Sequence, residues 1–120
     1  MARENSSVCS EEGYLAIFDR IAAGVLMADP ESRQFGYANP AVCRMFGYSQ
    51  AELLGLSVKD IHPQSSVDHV LAEFEAQTSG AHVLASALPC LRKDGSVFYA
   101  DISSTPIVLR GKFWNLGFFN

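Results

Sequence analysis

The chain is poor in the features that mark several large protein classes. It has 3 Cys (Cys9, Cys43 and Cys90), an odd number at wide spacing, with no Cys-x-x-Cys pair and no neighbouring His. This leaves no zinc pattern and fits reduced thiols in a cytoplasmic protein. No apolar run approaches the roughly 18 residues that a membrane span needs. The first residues, Met1 to Ser7, lack the apolar stretch of a secretory signal. Basic residues are few, with 9 Lys and Arg against 13 Asp and Glu for a net charge of -4, and they form no cluster. That balance argues against a nucleic-acid partner. There is no Gly-x-Ser-x-Gly, phosphate loop or paired-His metal motif, so the sequence points to no enzyme and no metal site.

Apolar residues are abundant. They make up 48% of 120 residues, and 11% are aromatic. This is enough for a single buried core and excludes intrinsic disorder. The final stretch carries one charge, Lys112, and stops on Phe118-Phe119-Asn120. Chain termini are usually polar and frayed. Such an ending is expected of a domain cut from a longer protein, inside or just after a buried strand.

The periodicities predict a mobile polar leader over 1–10 and an N-terminal helix over 11–23, carried by Leu15, Phe18 and Ile21. A strand over 24–29, the turn Asp29-Pro30-Glu31-Ser32 and a strand over 34–38 make a hairpin. Asn39-Pro40 pairs an N-cap with proline at the first helical position, opening a helix that ends at Gly47. Ser49-Gln50-Ala51-Glu52 is a capping box for a very short helix ending at Gly55. Residues 58–63 are expected to be extended, because His62 precedes a proline. Ser65 or Ser66 is expected to cap the longest helix, with its stripe of Val67, Val70, Leu71 and Phe74. Three strands follow, over 83–92, 96–108 and 112–119, joined by turns at Lys93-Asp94-Gly95 and Arg110-Gly111. Two strands, a run of helices and three strands indicate an α+β fold with an antiparallel sheet.

Five pieces in order carry a family resemblance: Asn39-Pro40-Ala41, Phe46-Gly47-Tyr48-Ser49, Glu52-Leu53-Leu54-Gly55, Ile61-His62-Pro63 and Arg92-Lys93-Asp94-Gly95-Ser96. From Leu15 to Asn120 the chain resembles the PAS domains, sensory modules of signalling proteins. The resemblance implies a five-stranded antiparallel sheet with short helices on one face, enclosing a pocket, over 24–120. It also implies a linked output module, often a histidine kinase or diguanylate cyclase, beyond the last strand.

Relatives bind haem, flavin, small metabolites or nothing. Cys43-Arg44-Met45-Phe46 is similar to the flavin-adduct motif but lies on the helix that begins at Asn39-Pro40. The stretch aligned with the photoactive motif, Gly55 to Asp60, has no cysteine. Haem-binding relatives place an axial His on the long helix. His69 lies roughly 200° round that helix from Val67, away from the apolar stripe, and Val67, nearest the ligand phase, cannot coordinate iron. A small metabolite or no ligand is therefore expected, rather than haem or flavin. His62 is expected to have a loop role, and His82 to open a strand.

Strand alternation combined with the resemblance predicts the pocket walls. Leu84, Ser86, Leu88 and Cys90 face in from the first late strand, and Phe98, Ala100, Ile102 and Ser104 from the second. Phe113, Asn115, Gly117 and Phe119 face in from the last. Met45, Phe46, Val67, Val70, Leu71 and Phe74 close the helix side. Ser86, Ser104 and Asn115 are the expected polar contacts. The other face of the sheet carries Val97, Tyr99, Trp114, Leu116 and Phe118, too large an apolar patch to stay bare. Its expected cover is the N-terminal helix, through Leu15, Phe18 and Ile21, together with a second copy of the domain in a homodimer.

Overall fold

A computed structural model describes residues 11–79 and 84–120. The leader, Cys9, Gly80, His82 and Val83 lie outside the described residues. The chain runs α1 (Glu11–Arg20), β1 (Gly24–Ala28), β2 (Phe35–Ala38), α2 (Pro40–Phe46) and α3 (Gln50–Leu54). Two 3-10 turns (Val58–Ile61 and Gln64–Ser66) lead into α4 (Val67–Thr78), and β3 (Leu84–Leu91), β4 (Val97–Leu109) and β5 (Lys112–Phe119) complete the fold. The strands form one antiparallel five-stranded sheet in the order β2-β1-β5-β4-β3. Helices α2 to α4 cover one face of the sheet and α1 covers part of the other.

Local chemistry explains the short helices. Asn39 caps α2, its side chain accepting from Val42 N, and Pro40 occupies the first turn. Gly47 ends the helix in the left-handed region at φ 79°, which glycine adopts without penalty. The capping box at Ser49 and Glu52 opens α3. Glu52 also reaches Lys93 Nζ at 2.6 Å, tying α3 to the β3–β4 turn. Arg92 Nε donates to Met45 O at 3.0 Å and Lys93 N donates to Phe46 O at 2.9 Å. These bonds satisfy carbonyls that the end of α2 would otherwise leave open. The Arg92-Lys93-Asp94-Gly95 turn therefore docks the hairpin onto α2.

Two local expectations are corrected. Residues 58–61 are a 3-10 turn, not an extended segment, because Asp60 accepts from Ser57 N and closes a tight cap; only His62 and Pro63 are extended. Neither Ser65 nor Ser66 caps α4 with its side chain, because a 3-10 turn over Gln64–Ser66 runs directly into the helix.

The core has two parts. Beneath α2 to α4 lie residues including Leu26, Phe35, Val42, Phe46, Leu53, Ile61, Phe74, Ile102 and Phe119. On the opposite face Phe18 of α1 is buried, with Tyr14, Leu15 and Ile21 partly so, against Val25, Met27, Tyr37, Leu116, Trp114 and Phe118. Tyr37 Oη donates to Asp19 from beneath α1. Helix α1 thus covers Trp114, Leu116 and Phe118. It does not cover Val97 or Tyr99, which stay 44% and 68% exposed. They lie at the start of β4, where it runs past the end of β5, whereas the α1 cluster reaches β4 only at Ile107 and Leu109.

Trp114 packs against β2, where a Cβ at Gly36 would fall on its six-membered ring. Gly36→Ala is expected to cost about 1–3 kcal/mol, the usual cost of overpacking. The same variant should shift the emission of the sole tryptophan to the red. Parent-like emission and stability would show that the ring yields freely.

Candidate functional site

A cavity of about 50 Å³ lies between α4, the first 3-10 turn and the inner face of the sheet. Its apolar wall includes Phe35, Val58, Ile61, Val70, Phe74 and Phe119, and its polar wall His62, Gln77, Ser104 and Asn115. One water needs about 10–15 Å³ on this measure, so the space admits a group of roughly three or four non-hydrogen atoms. A porphyrin or flavin ring would have to displace α4 to enter.

The polar groups are tightly organised. Gln77 extends the inward stripe of α4, following Val70 and Phe74 at helical spacing. Its Nε2 donates to Ile102 O at 3.2 Å and its Oε1 accepts from Ser104 Oγ at 2.8 Å. Asn115 is different. Only 5% exposed, it has one long 3.4 Å contact from Nδ2 to Thr78 Oγ1. Its Oδ1 is buried and finds no donor among the described residues. A buried acceptor left unmatched costs about 1–3 kcal/mol, which a donor entering the site would recover.

His62 closes the cavity on the 3-10 side. It is buried, and its Nδ1 lies 2.7 Å from Pro89 O. A carbonyl only accepts, so Nδ1 carries the proton. Burial pushes the imidazole pKa below its usual value, and the Pro89 bond only partly offsets this. The folded state thus binds fewer protons here than the unfolded chain does. Stability from this group is complete above the ordinary imidazole range and is lost as pH falls through it. Unfolding free energy is expected to drop between about pH 7.5 and about pH 5, and to drop less in His62→Gln. An equal drop in both proteins would overturn the assignment.

Of the predicted wall residues, Val70, Phe74, Leu88, Ile102, Ser104, Asn115, Gly117 and Phe119 line the cavity. Phe46, Phe98 and Ala100 pack in the core beside it, with Met45 and Leu71 at the core's margin. Val67 is half-buried at the start of α4 and reaches no cavity wall.

Leu84 and Ser86 are corrected: both are exposed, Leu84 at 53%. A bulge between Ala85 and Leu88 shifts the β3 register, so Ala85 turns inward in their place. Ala87 takes φ 53° there, and Asp101 Oδ1 accepts its N–H at 2.8 Å. Phe113 lies on the inner face but past the helices, 63% exposed.

Sequence reasoning missed His62 and Gln77 on the cavity wall. Gln77 was within reach, since the α4 stripe continues to it at the next helical step. His62 was not, because its burial depends on β3 packing over the 3-10 turn.

Cys90 is fully buried and its thiol is pushed up to about 12 by burial. Cys43 is half-buried on α2, its pKa raised for the same reason. Neither thiol is activated as a nucleophile. Among the described residues no group of three His, Cys, Asp or Glu side chains could hold a metal ion. No described helix is long and apolar enough to cross a membrane. His69 is exposed on α4.

A five-stranded antiparallel sheet with a small, partly polar cavity under its helical layer is an α+β ligand-pocket architecture. Residues 22–119 match the PAS domain family, and the chain belongs to that family. Over 99 residues it is 32% identical to the sensor histidine kinase TmoS of Ectopseudomonas mendocina, a match covering 78% of this chain and 10% of that protein. The chain thus spans about a tenth of that relative's length. Its fold is similar to the PAS domain of a Desulfitobacterium hafniense protein, with TM-score 0.78, 17% identity, and coverage of 88% of this chain and 97% of that one. It is also similar to a domain of a sensory box sensor histidine kinase/response regulator from Geobacter sulfurreducens, with TM-score 0.73, 22% identity and 91% of each chain covered.

Proposed function

We propose that this PAS domain senses a small ligand for a longer cytoplasmic signalling protein. The ligand places a donor group in the internal cavity. Binding biases a covalently linked output module of the histidine kinase or diguanylate cyclase kind. The observation that carries this reading is the buried, unmatched Oδ1 of Asn115 beside the Gln77–Ser104 pair. Resemblance to a sensor histidine kinase supports the kinase output first.

Strand β5 offers a route for the signal. Asn115 faces the cavity, while its neighbours Trp114 and Leu116 pack on the α1 side of the sheet. A ligand that prefers one position of β5 would therefore also bias how α1 docks. The coupling equals the ligand's difference in affinity for the two arrangements. A homodimer, formed through α1 and the exposed Val97 and Tyr99, belongs to the same proposal.

A ligand-free interaction module is the second reading. It is favoured by the small cavity, far below the roughly 300–1,000 Å³ of usual ligand sites. Native mass spectrometry of the purified protein, with a thermal-shift screen against small metabolites, separates the two. Bound mass, or a shift lost in Asn115→Leu, is expected. A dimer with no bound mass and no shift would sink the sensor reading and leave the interaction module. A monomer would remove the dimer.

A further inference from the structure

The cavity alone cannot hold a metabolite, but Asn115 also lines a second space. A surface groove of about 570 Å³ runs between the β1–β2 turn, the end of α4 and the start of β5. That volume lies within the range of small-molecule sites. Asp29 and Glu31 stand at one side, Thr78 at the other, and Pro106, Phe113 and Asn115 contribute from the sheet.

The charges in this groove are uneven. Asp29 is already paired, with Lys112 Nζ 2.5 Å from its Oδ2. Lys112 also lies over the Trp114 ring, 5.1 Å from its centroid, so its charge is balanced by Asp29 although the side chain stays 47% exposed. Glu31 has no ion-pair partner among the described residues, and its own N–H is spent on Asp29 Oδ1. What remains for a guest at the surface is the Glu31 carboxylate and the exposed ring of Phe113, with Asn115 in the groove wall and its unmatched Oδ1 buried behind it. Each of these attracts an N–H donor that carries positive charge. None suits an anion.

We propose that the sensed ligand is a small amine with an apolar or planar body, seated in this groove with a donor directed to Asn115. The inference rests on the sensor reading above and names its ligand class. Phe113 and Pro106 take the body, Glu31 balances the charge, and Asn115 reports occupancy to β5.

Three probes share one ring and one two-carbon arm: 2-phenylethylamine, 2-phenylethanol and phenylacetate. Their binding to the whole chain is followed by calorimetry and by amide chemical shifts. The amine is expected to bind most tightly. Glu31→Gln and Phe113→Ala should each weaken it at least about threefold, the scale of an exposed charge or cation–π contact. Both residues are exposed, so these variants keep the fold. Asn115→Leu should abolish the response of β5.

Equal or tighter binding of the alcohol or the carboxylate would overturn the amine assignment. Amine binding indifferent to Glu31→Gln and Phe113→Ala would overturn the groove. If none of the three probes binds but native mass spectrometry finds another ligand lost in Asn115→Leu, the inference falls and the sensor reading stands. If no ligand of any kind is found, both fall.

Discussion

Replacing Asn39 with leucine is expected to lower stability by about 4 kcal/mol or more, the sum of several buried groups left unmatched. Asn39 is fully buried, and every polar atom of its side chain is engaged. Oδ1 accepts from Val25 N and Val42 N, both at 2.9 Å. Nδ2 donates to Phe18 O at 2.9 Å and Ala23 O at 3.0 Å, with a longer contact to Ile21 O at 3.4 Å. One amide thus joins the end of α1, the start of β1 and the first turn of α2. Leucine has nearly the same size but leaves the N–H groups of Val25 and Val42 unmatched, removes the Ala23 O bond, and leaves Phe18 O only its 3.3 Å bond from Ile21 N. Against a typical total of about 5–15 kcal/mol, such a loss unfolds many domains.

Asn39→Asp keeps the prediction testable if the leucine variant does not fold. It preserves the acceptor for Val25 and Val42 but turns an oxygen toward the α1 carbonyls. Only the protonated acid can donate there, so the folded state raises this carboxyl's pKa. Its protonated, donating form, and the stability that form provides, is present at low pH and lost as pH rises above the ordinary carboxyl range. The stability gap between Asn39→Asp and the parent should therefore narrow on acidification. Hydrogen exchange should show α1 losing protection before the sheet. A gap that is constant with pH, or α1 protected as in the parent, would show that Asn39 does not hold the helix.

Phe46→Ala should cost about 3–5 kcal/mol, the range for removing a fully enclosed aromatic ring. Phe46 is completely buried at the end of α2. Its ring meets Phe98 edge-on at 5.0 Å and Phe119 at 5.7 Å between centroids. Arg92 lies over Phe98, 4.5 Å from that ring's centroid, so the cluster also anchors the β3–β4 hairpin. The backbone bond from Lys93 N to Phe46 O limits collapse around the gap. Urea unfolding would measure the effect as a lower midpoint at an unchanged slope. A cost below about 1.5 kcal/mol would mean that the hairpin closes onto the vacated space.

Much of this architecture is written locally. Asn39-Pro40, the Ser49 and Glu52 box and the Lys93-Asp94-Gly95 turn each specify their own backbone, because the cap and turn bonds that shape it lie within four residues. Alternation along β4 and β5 sorted Ala100, Ile102, Ser104, Asn115 and Phe119 onto the helix-covered side, because those strands stay regular over their inner stretch. The same rule failed on β3. There a bulge at Ala87 is held by Asp101, and neither of the bulged residues, Ser86 and Ala87, is a glycine or proline.

Three features depended on the tertiary structure. Which outer residues are covered depends on where α1 crosses the sheet, and that crossing is set by Asn39 gripping the helix end from 21 residues away. How much space remains under α4 depends on how Phe35, Phe74 and Phe119 share it, a volume no pattern of residue types predicts. The isolation of Asn115 Oδ1 depends on Gln77 and Ser104 bonding to each other instead. Capping, turn chemistry and hydrophobic period placed most elements and their order, because these are short-range physics, and the family followed from the resemblance of the five motifs. Burial, pairing and empty volume were decided only when distant segments met.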